Sequence, residues 1–539
     1  MPAPTSPRRA SRQTLPWLLT LALAAALASS AAAAPMFGAR KTATAKTPAP
    51  GPVKTGLENL EKQVKEFTLA NGLKFIVVER HNAPVFSFQT LVNAGGVDEQ
   101  VGQTGIAHMM EHMAFKGTAV VGTKDWAKEK PLLDAEETAY RPLLNERRKG
   151  LKADTTRLAT LQKAFGEAQE AARAVVEANE FSRIIEGAGA PDMNAETSDD
   201  VTRYYYSLPS NRLELWALME GGRMASPVLR EFYKERDVVY EERRMGVESS
   251  PIGRLFMGFL NTAYVAHPYK TGVIGFPSDL KSFSRTQGDA FFREHYVAKN
   301  MAVAVVGDVT VPELQALGAK YFGGISDAPA PPPVDTQEPE QQAERRVIFE
   351  DPAQPMIMIG WHIPAGDDPR YASYEALASL LGGGDWARLN KALVKERKIA
   401  VQLQAFAGLP GEKYASMLGL LVVPATGQDP LKVEQAVYDV IDSVLTVSPF
   451  TAAELDGYKV RLRARNIARA EGNSGLTDAL SRAQILQGDW REFFREQERV
   501  QALQVDDLQG AMKRSLIKSN RTVGLIVNPP KKASNEGGR

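Results

Sequence analysis

No cysteine occurs among the 539 residues. That absence excludes disulfides, thiolate-ligated zinc, iron–sulfur clusters, thiol nucleophiles and a lipid-modified N-terminal cysteine. Histidine is scarce as well, six in all, so imidazole chemistry must come from very few positions. Neither sign of charge dominates: 65 Lys and Arg stand against 64 Asp and Glu, and a net charge of +1 leaves no basic footprint for nucleic acid. Beyond the N-terminus no segment is apolar enough to span a bilayer, which takes about 20 residues. What is present is ordinary globular composition, 44% hydrophobic and 24% charged, in a chain long enough for several domains.

The N-terminus reads as an address. Arg8, Arg9 and Arg12 precede an apolar run over 15–28, and small residues follow to Ala34. This is the pattern of a secretory signal peptide over 1–33, cut near Ala33 because Pro35 disfavours cleavage directly before it. The expectation is an exported chain, in the periplasm of a Gram-negative bacterium, with no membrane span once matured.

Residues 34–59 are rich in Ala, Thr, Lys, Pro and Gly and read as a flexible leader. Alternating strands follow over 66–69 and 73–78 about an Asn71-Gly72 turn, then over 85–92. A helix is expected from about Gly105, with Thr104 as its cap. Two buried strands entered by Asn, at Asn300 and Asn520, close two similar stretches of mixed strand and helix. Five prolines lie between 329 and 339, which rules out a helix or central strand there. The predicted organisation is α+β: two homologous domains, 60–325 and 346–530, each an antiparallel-rich sheet flanked by helices. A Pro-rich linker over 326–345 joins them, and a tail covers 531–539. A charged insertion at about 124–186 breaks the strand pattern. Leu158, Leu161, Phe165, Ala168, Ala172 and Val175 mark one helix of it, capped by Asp154. Leu133, Tyr140, Leu143, Leu144 and Leu151 mark another, interrupted by Pro131 and Pro142. It serves either as a structural hairpin or as a lid or docking surface.

The string His108-Met-Met-Glu111-His112 carries the chemistry. On a helix, positions i and i+4 share a face with i+3 beside them, so both imidazoles can hold one metal while Glu111 reaches a water on it. Such a pentapeptide is expected by chance only about 0.005 times in a chain of this composition. The neighbours Ile106, Ala107, Met109, Met110 and Met113 imply burial, which is costly for unpartnered polar groups. A catalytic zinc needs a third protein ligand, and without Cys a carboxylate is the natural choice. On a predicted helix over 231–247, Glu235 and Glu242 lie in a stripe with Val238, Val239, Met245 and Gly246. A metal or an arginine would serve equally as partner for Glu242.

These residues, continuing as Met-Ala-Phe-Lys-Gly-Thr118, resemble the pitrilysin/insulinase family of inverted-motif zinc peptidases, in the branch containing mitochondrial processing peptidase. Asn194-Ala-Glu-Thr197, Glu235 to Glu242, His267-Pro-Tyr269 and the Gly307-Asp308 strand end extend the resemblance over most of 60–530. It implies one zinc per chain on His108, His112 and Glu242, with Glu111 as general base. It also implies that Glu235 orients a ligating imidazole and that Asn194 and Ala195 form the edge where an extended peptide adds. The expected activity is that of an exported endopeptidase acting on peptides or unfolded segments; the alternative is a non-catalytic peptide-binding or assembly subunit of the same fold.

Two departures stand out. The interval from His112 to Glu242 exceeds the family spacing by roughly fifty positions, all of it within the charged insertion. An Arg and a Tyr seven apart, which hold the substrate carbonyl in single-chain relatives, are replaced by Val394 and Val401. The resemblance therefore implies a homologous inactive subunit that supplies the pair, or a homodimer.

Overall fold

The computed structural model describes residues 56–529, so the predicted signal peptide, nearly all of the leader and most of the tail lie outside the described residues. The end of the predicted leader is instead ordered: Gly56–Glu61 is a short helix whose Leu57 and Leu60 are buried beside Ile76, Val78 and Leu480. Two apolar side chains one turn apart give it a face to dock.

Eleven strands among the described residues form two sheets. In the first half lie β1 (Lys65–Thr68), β2 (Lys74–Glu79), β3 (Val85–Val92), β4 (Asn194–Thr197), β5 (Thr202–Pro209) and β6 (Met301–Gly307). In the second lie β7 (Arg345–Glu350), β8 (Met356–Ile363), β9 (Ala400–Leu409), β10 (Ser416–Pro424) and β11 (Arg521–Val527). The first sheet runs β1-β2-β6-β3-β5-β4 and the second β7-β11-β8-β10-β9. Omitting β1, the two orders are the same, with one parallel pair in each (β2/β6 and β7/β11) and antiparallel pairs otherwise. The expected duplication extends to single hydrogen bonds. Asn300 donates through Nδ2 to the carbonyls of Asn93 and His295, and Asn520 donates in the same way to His362 and Ser515. Each Asn thereby ties its strand's entry to the end of the neighbouring strand.

The halves exchange cover. The second-half helix Asn473–Gln487 packs on β3 and β6, with Ala479 and Leu480 against Ala304 and Val306. In return, the first-half helix Pro251–Ala263 lays Leu255 and Phe259 on the second sheet beside Met358 and Ile526. Gly360 and Gly524 make this approach possible, because a Cβ at either would fall within 3 Å of Phe259 or Leu255. Each fully buried Leu or Phe contributes about 1.5–3 kcal/mol, so the two halves form one continuous hydrophobic unit. The Pro-rich segment has no regular structure, and it is wrapped against the fold. Glu338 accepts from the backbone N–H groups of Val265, Ala266 and His267, and the Val334 N–H donates to Tyr414.

The insertion is two long antiparallel helices, Trp126–Arg147 and Thr155–Arg173, with Asp154 accepting from Thr156 and Arg157 as expected, followed by Glu180–Gly187. The first helix runs unbroken through Pro131 and Pro142, contrary to the expected interruption. Each internal proline costs about 3 kcal/mol. Burial of Leu133, Tyr140 and Leu143, at about 1.5–3 kcal/mol apiece, offsets that cost.

The insertion braces the helix Phe232–Arg243 from behind. Arg230, just before that helix, pairs with the fully buried Glu129 at 2.7 Å and donates to the carbonyls of Lys116, Thr118 and Val121. Arg236 donates to Tyr140 at 2.7 Å and lies over the rings of Tyr140 and Tyr233, while the Tyr233 hydroxyl donates to Glu137. Replacing Glu129 by Ala leaves Arg230 buried without its counter-charge. The expected loss is about 3–5 kcal/mol of unfolding free energy, read as a fall in the denaturant midpoint at unchanged slope; an unchanged midpoint would show that the pair braces nothing.

Candidate metal centre

Helix Ile106–Met113 is apolar on every side, with Ile106, Ala107, Met109, Met110 and Met113 all buried, so its three polar side chains are carried into the interior. Its start differs from the sequence expectation. Thr104 does not cap it: its hydroxyl donates to Asp279 at 2.8 Å and accepts from the Phe276 N–H. Gly105 precedes the helix at φ +94°, and a Cβ there would lie 2.8 Å from the Ile274 carbonyl. The carboxyl group of Glu99 takes the Gly105 and Ala107 N–H groups at 2.6 and 2.8 Å, supplying acceptors for backbone donors that have no partner within the helix.

The second helix enters through Glu231, a non-glycine residue at φ +54°. It runs from Phe232 to Arg243 and continues as a π turn over Arg244–Glu248. The wider turn changes the angular step, so Met245, expected in the inward stripe, is 43% exposed. Glu235 and Glu242 lie before that change, seven residues apart and on one face.

The structure brings His108, His112 and Glu242 together, with their ligand-type atoms within 4.8 Å of one another. Glu242 Oε2 lies 3.8 Å from His108 Nε2 and 3.5 Å from His112 Nε2. Two atoms each about 2.0–2.1 Å from a common tetrahedral centre stand roughly 3.3 Å apart, so the separations fit one shared ion. The imidazole planes cross at 89° with centroids 4.8 Å apart, and His108 has both ring nitrogens buried without a hydrogen-bond partner. Orphaned buried nitrogens of this kind call for a ligand that the protein itself does not provide. Among the described residues no arginine pairs with Glu242, which leaves the two imidazoles as its nearest side-chain partners.

The electrostatics follow from burial and two carboxylates. Desolvation holds His108 down at about 3, as a neutral ring. Burial works against charge on His112 too, but Glu235 and Glu242 overcome it and raise the ring to about 10. Glu235 Oε1 lies 3.5 Å from His112 Nδ1, and its other oxygen meets Lys116 Nζ at 2.5 Å. Desolvation opposes ionisation of Glu235, yet these two partners hold it at about 2. Fixed in this way, Glu235 keeps the proton on Nδ1 and leaves Nε2 free for coordination. Burial pushes Glu111 up to about 7, the range suited to a general base near neutrality.

Asn194 and Ala195 fall on β4, the outermost strand of the first sheet, whose ladder partner is β5. The Ala195 N–H is engaged by the Asn194 side-chain oxygen at 3.0 Å. Sequence reasoning passed over two residues of the centre. Lys116 stands one turn beyond His112, the i+4 spacing that places it beside Glu235. Thr197 ends β4 and donates to Glu111 Oε2 at 2.6 Å; its only sequence signal is its place in the Asn194-Ala-Glu-Thr197 string. Val394 sits in the π turn Asn390–Glu396, and Val401 is 58% exposed on β9, so neither offers a polar group.

Comparison with known proteins finds zinc proteases among the relatives of the chain. The model of the insulinase family (peptidase family M16) matches residues 74–130, and that of the peptidase M16 inactive domain matches 282–462. The zinc protease PqqE of Helicobacter pylori is 29% identical over 82% of this chain and 87% of its own length. The probable mitochondrial-processing peptidase subunit beta of Schizosaccharomyces pombe is 20% identical over 80% and 86%. Among solved structures, a protease from Helicobacter pylori superposes with a TM-score of 0.72 at 25% identity, covering 86% of this chain and 99% of that one. The first half of the periplasmic protease PqqL from Escherichia coli shares the fold at a TM-score of 0.62 and 17% identity, covering 87% and 92%. Motif, sheet topology and relatives agree, and the chain belongs to the insulinase/pitrilysin (M16) family of peptidases.

Proposed function

We propose that the protein is a zinc-dependent endopeptidase exported to the periplasm, with one zinc held by His108, His112 and Glu242. The observation that carries the reading is the convergence of those three side chains, with both buried nitrogens of His108 lacking a hydrogen-bond partner. Export is supported by the N-terminal pattern and by the periplasmic relative from Escherichia coli.

When bound, zinc supplies the Lewis acidity that brings the pKa of a water toward neutrality and polarises the peptide carbonyl. The remaining steps fall to the chain. Glu111 takes the proton of the attacking water and passes it to the leaving amine. Glu235, held by Lys116, fixes the tautomer of His112. The free edge of β4 takes an extended substrate by strand addition, with Asn194 and Ala195 as its contacts, so folded substrates are excluded unless a segment is already unpaired. The donors that would hold the carbonyl oxygen are missing at Val394 and Val401, which favours a homologous subunit carrying an Arg and Tyr at those places. The relative from Schizosaccharomyces pombe is itself described as a subunit.

Four outcomes follow. Glu111→Gln keeps zinc, read by elemental analysis, and loses peptide turnover by about 100-fold or more; Glu242→Gln loses zinc as well, and equal zinc in that variant and the parent would refute the ligand set. Zinc binding expels a proton. His112 in the metal-free chain stays protonated up to about pH 10, whereas His108 is already neutral. Near pH 7.5 about one proton leaves per zinc, and affinity rises about tenfold per pH unit until it levels off near pH 10. Calorimetry in buffers of different ionisation enthalpy counts that proton, and finding none would contradict the clasp. Finally, turnover of a quenched peptide rises at least tenfold when a homologous subunit carrying the Arg and Tyr is added; a rate that the addition does not change excludes the partner. Full zinc without hydrolysis in either state would instead favour the peptide-binding subunit.

A further inference from the structure

The hydrogen bond between Thr197 and Glu111 joins two parts of the site, the strand that accepts substrate and the carboxylate that moves the proton. Glu111 is buried, and Thr197 is its hydrogen-bond partner, with Oγ1 2.6 Å from Oε2. A hydroxyl has one proton to give. The Thr197 oxygen also lies 3.3 Å from the Thr202 hydroxyl, which itself donates to the Ala94 carbonyl at 2.9 Å. With the Thr202 proton committed to Ala94, the Thr197 proton is left for Glu111. Thr197 thus pins one oxygen of the carboxylate and leaves Oε1 to face the reacting water.

The arrangement suits both states of the base. After Glu111 has taken a proton, the Thr197 rotor can turn its own hydrogen to the Thr202 oxygen and accept from the carboxylic acid. No backbone shift and no additional group are needed. Thr197 is also the last residue of β4, paired with Thr202 of β5, and it shares a strand face with the buried Ala195. A peptide adding to β4 therefore docks on the strand that fixes the orientation of the base.

We infer that Thr197 is a positioning residue, which orients Glu111 and couples docking of the peptide on β4 to the alignment of the proton acceptor. The inference rests on the peptidase reading above. It is tested in the full-length zinc-loaded protein, with its partner subunit if one is required, using Thr197→Val and Thr197→Ser. Val keeps the shape and β-branching but cannot donate; Ser restores the donor. The expected result is a fall in kcat of about 10- to 100-fold for Val with KM within twofold, and recovery by Ser to within about threefold of the parent. Zinc content stays at one per chain in both variants. In a Glu111→Gln background, peptide affinity measured by fluorescence anisotropy does not change when Thr197→Val is added. A Val variant with parental kcat overturns the inference and leaves the peptidase reading intact. A Val variant that loses zinc, or a Ser variant as slow as Val, assigns Thr197 a merely structural part and also overturns it. A parent that holds zinc yet cleaves no peptide overturns the peptidase reading and this inference with it.

Discussion

The constraint on which the rest depends is the burial of two imidazoles beside a carboxylate, one of them with neither ring nitrogen hydrogen-bonded. His108 has two orphaned nitrogens, and His112 keeps a proton only because Glu235 and Glu242 flank it. A buried polar group without a partner costs about 1–3 kcal/mol, and buried charge costs more. On the proposed reading a divalent ion repays that cost, and the apparatus around the centre keeps the two helices from relaxing apart. Glu99 fixes the start of one helix. Arg230, reaching from Glu129 to three carbonyls beyond the His112 turn, clamps the end of that helix to the start of the other. The charged insertion supplies Glu129, Glu137 and Tyr140 to this clamp, which explains why so large an insertion between His112 and Glu242 leaves their meeting undisturbed.

The two halves share a topology and differ in chemistry. In the first half the connection after β3 leads into the helix bearing His108, Glu111 and His112. In the second, the connection after β8 leads into Tyr371–Gly382, which has no histidine. Both halves keep the Asn that ties the last strand to its neighbour, because that bond serves the sheet. Only the first half carries the His108, His112 and Glu242 cluster. The second half contributes surface instead: its helix Asn473–Gln487 closes the outer face of the first sheet, and Gln89 of β3 donates to Asp478 and Ser481 across that contact.

Legibility in the sequence followed range. The His108–His112 face, the β1–β2 turn at Asn71-Gly72 and the Asp154 cap are local patterns, and each could be read from spacing alone. Glu242 was weaker, since helical periodicity put it in an inward stripe without naming its partner; the resemblance supplied that. What escaped were long-range substitutions of one partner for another. Glu99 rather than Thr104 serves the helix start, because Thr104 is drawn off by Asp279. The π turn at Arg244 moved Met245 outward, and no residue type announces such a turn. Two prolines looked like breaks until the aromatic contacts of Tyr140 with Phe165 and Tyr233 were in place.

An edge strand of four residues is a poor platform by itself, since short edges fray and open edges invite unwanted pairing. β4 is held from its far end. The turn that follows it places Asp200 against three donors, the Tyr269 hydroxyl and the Glu412 and Lys413 N–H groups, while the Ser198 and Asp199 carbonyls accept from Gly96 and Val97. Glu412 and Lys413 belong to the β9–β10 connection, so the second half fixes the hairpin that carries the first half's edge. Hydrogen bonds to a charged group contribute about 1.5–3 kcal/mol each, enough to keep four residues extended without a partner on the open side. The second half thus supports the candidate site without contributing a residue to the His–His–Glu cluster. By holding Asp200 it holds β4, and through Thr197 at the end of β4 it reaches the carboxylate of Glu111.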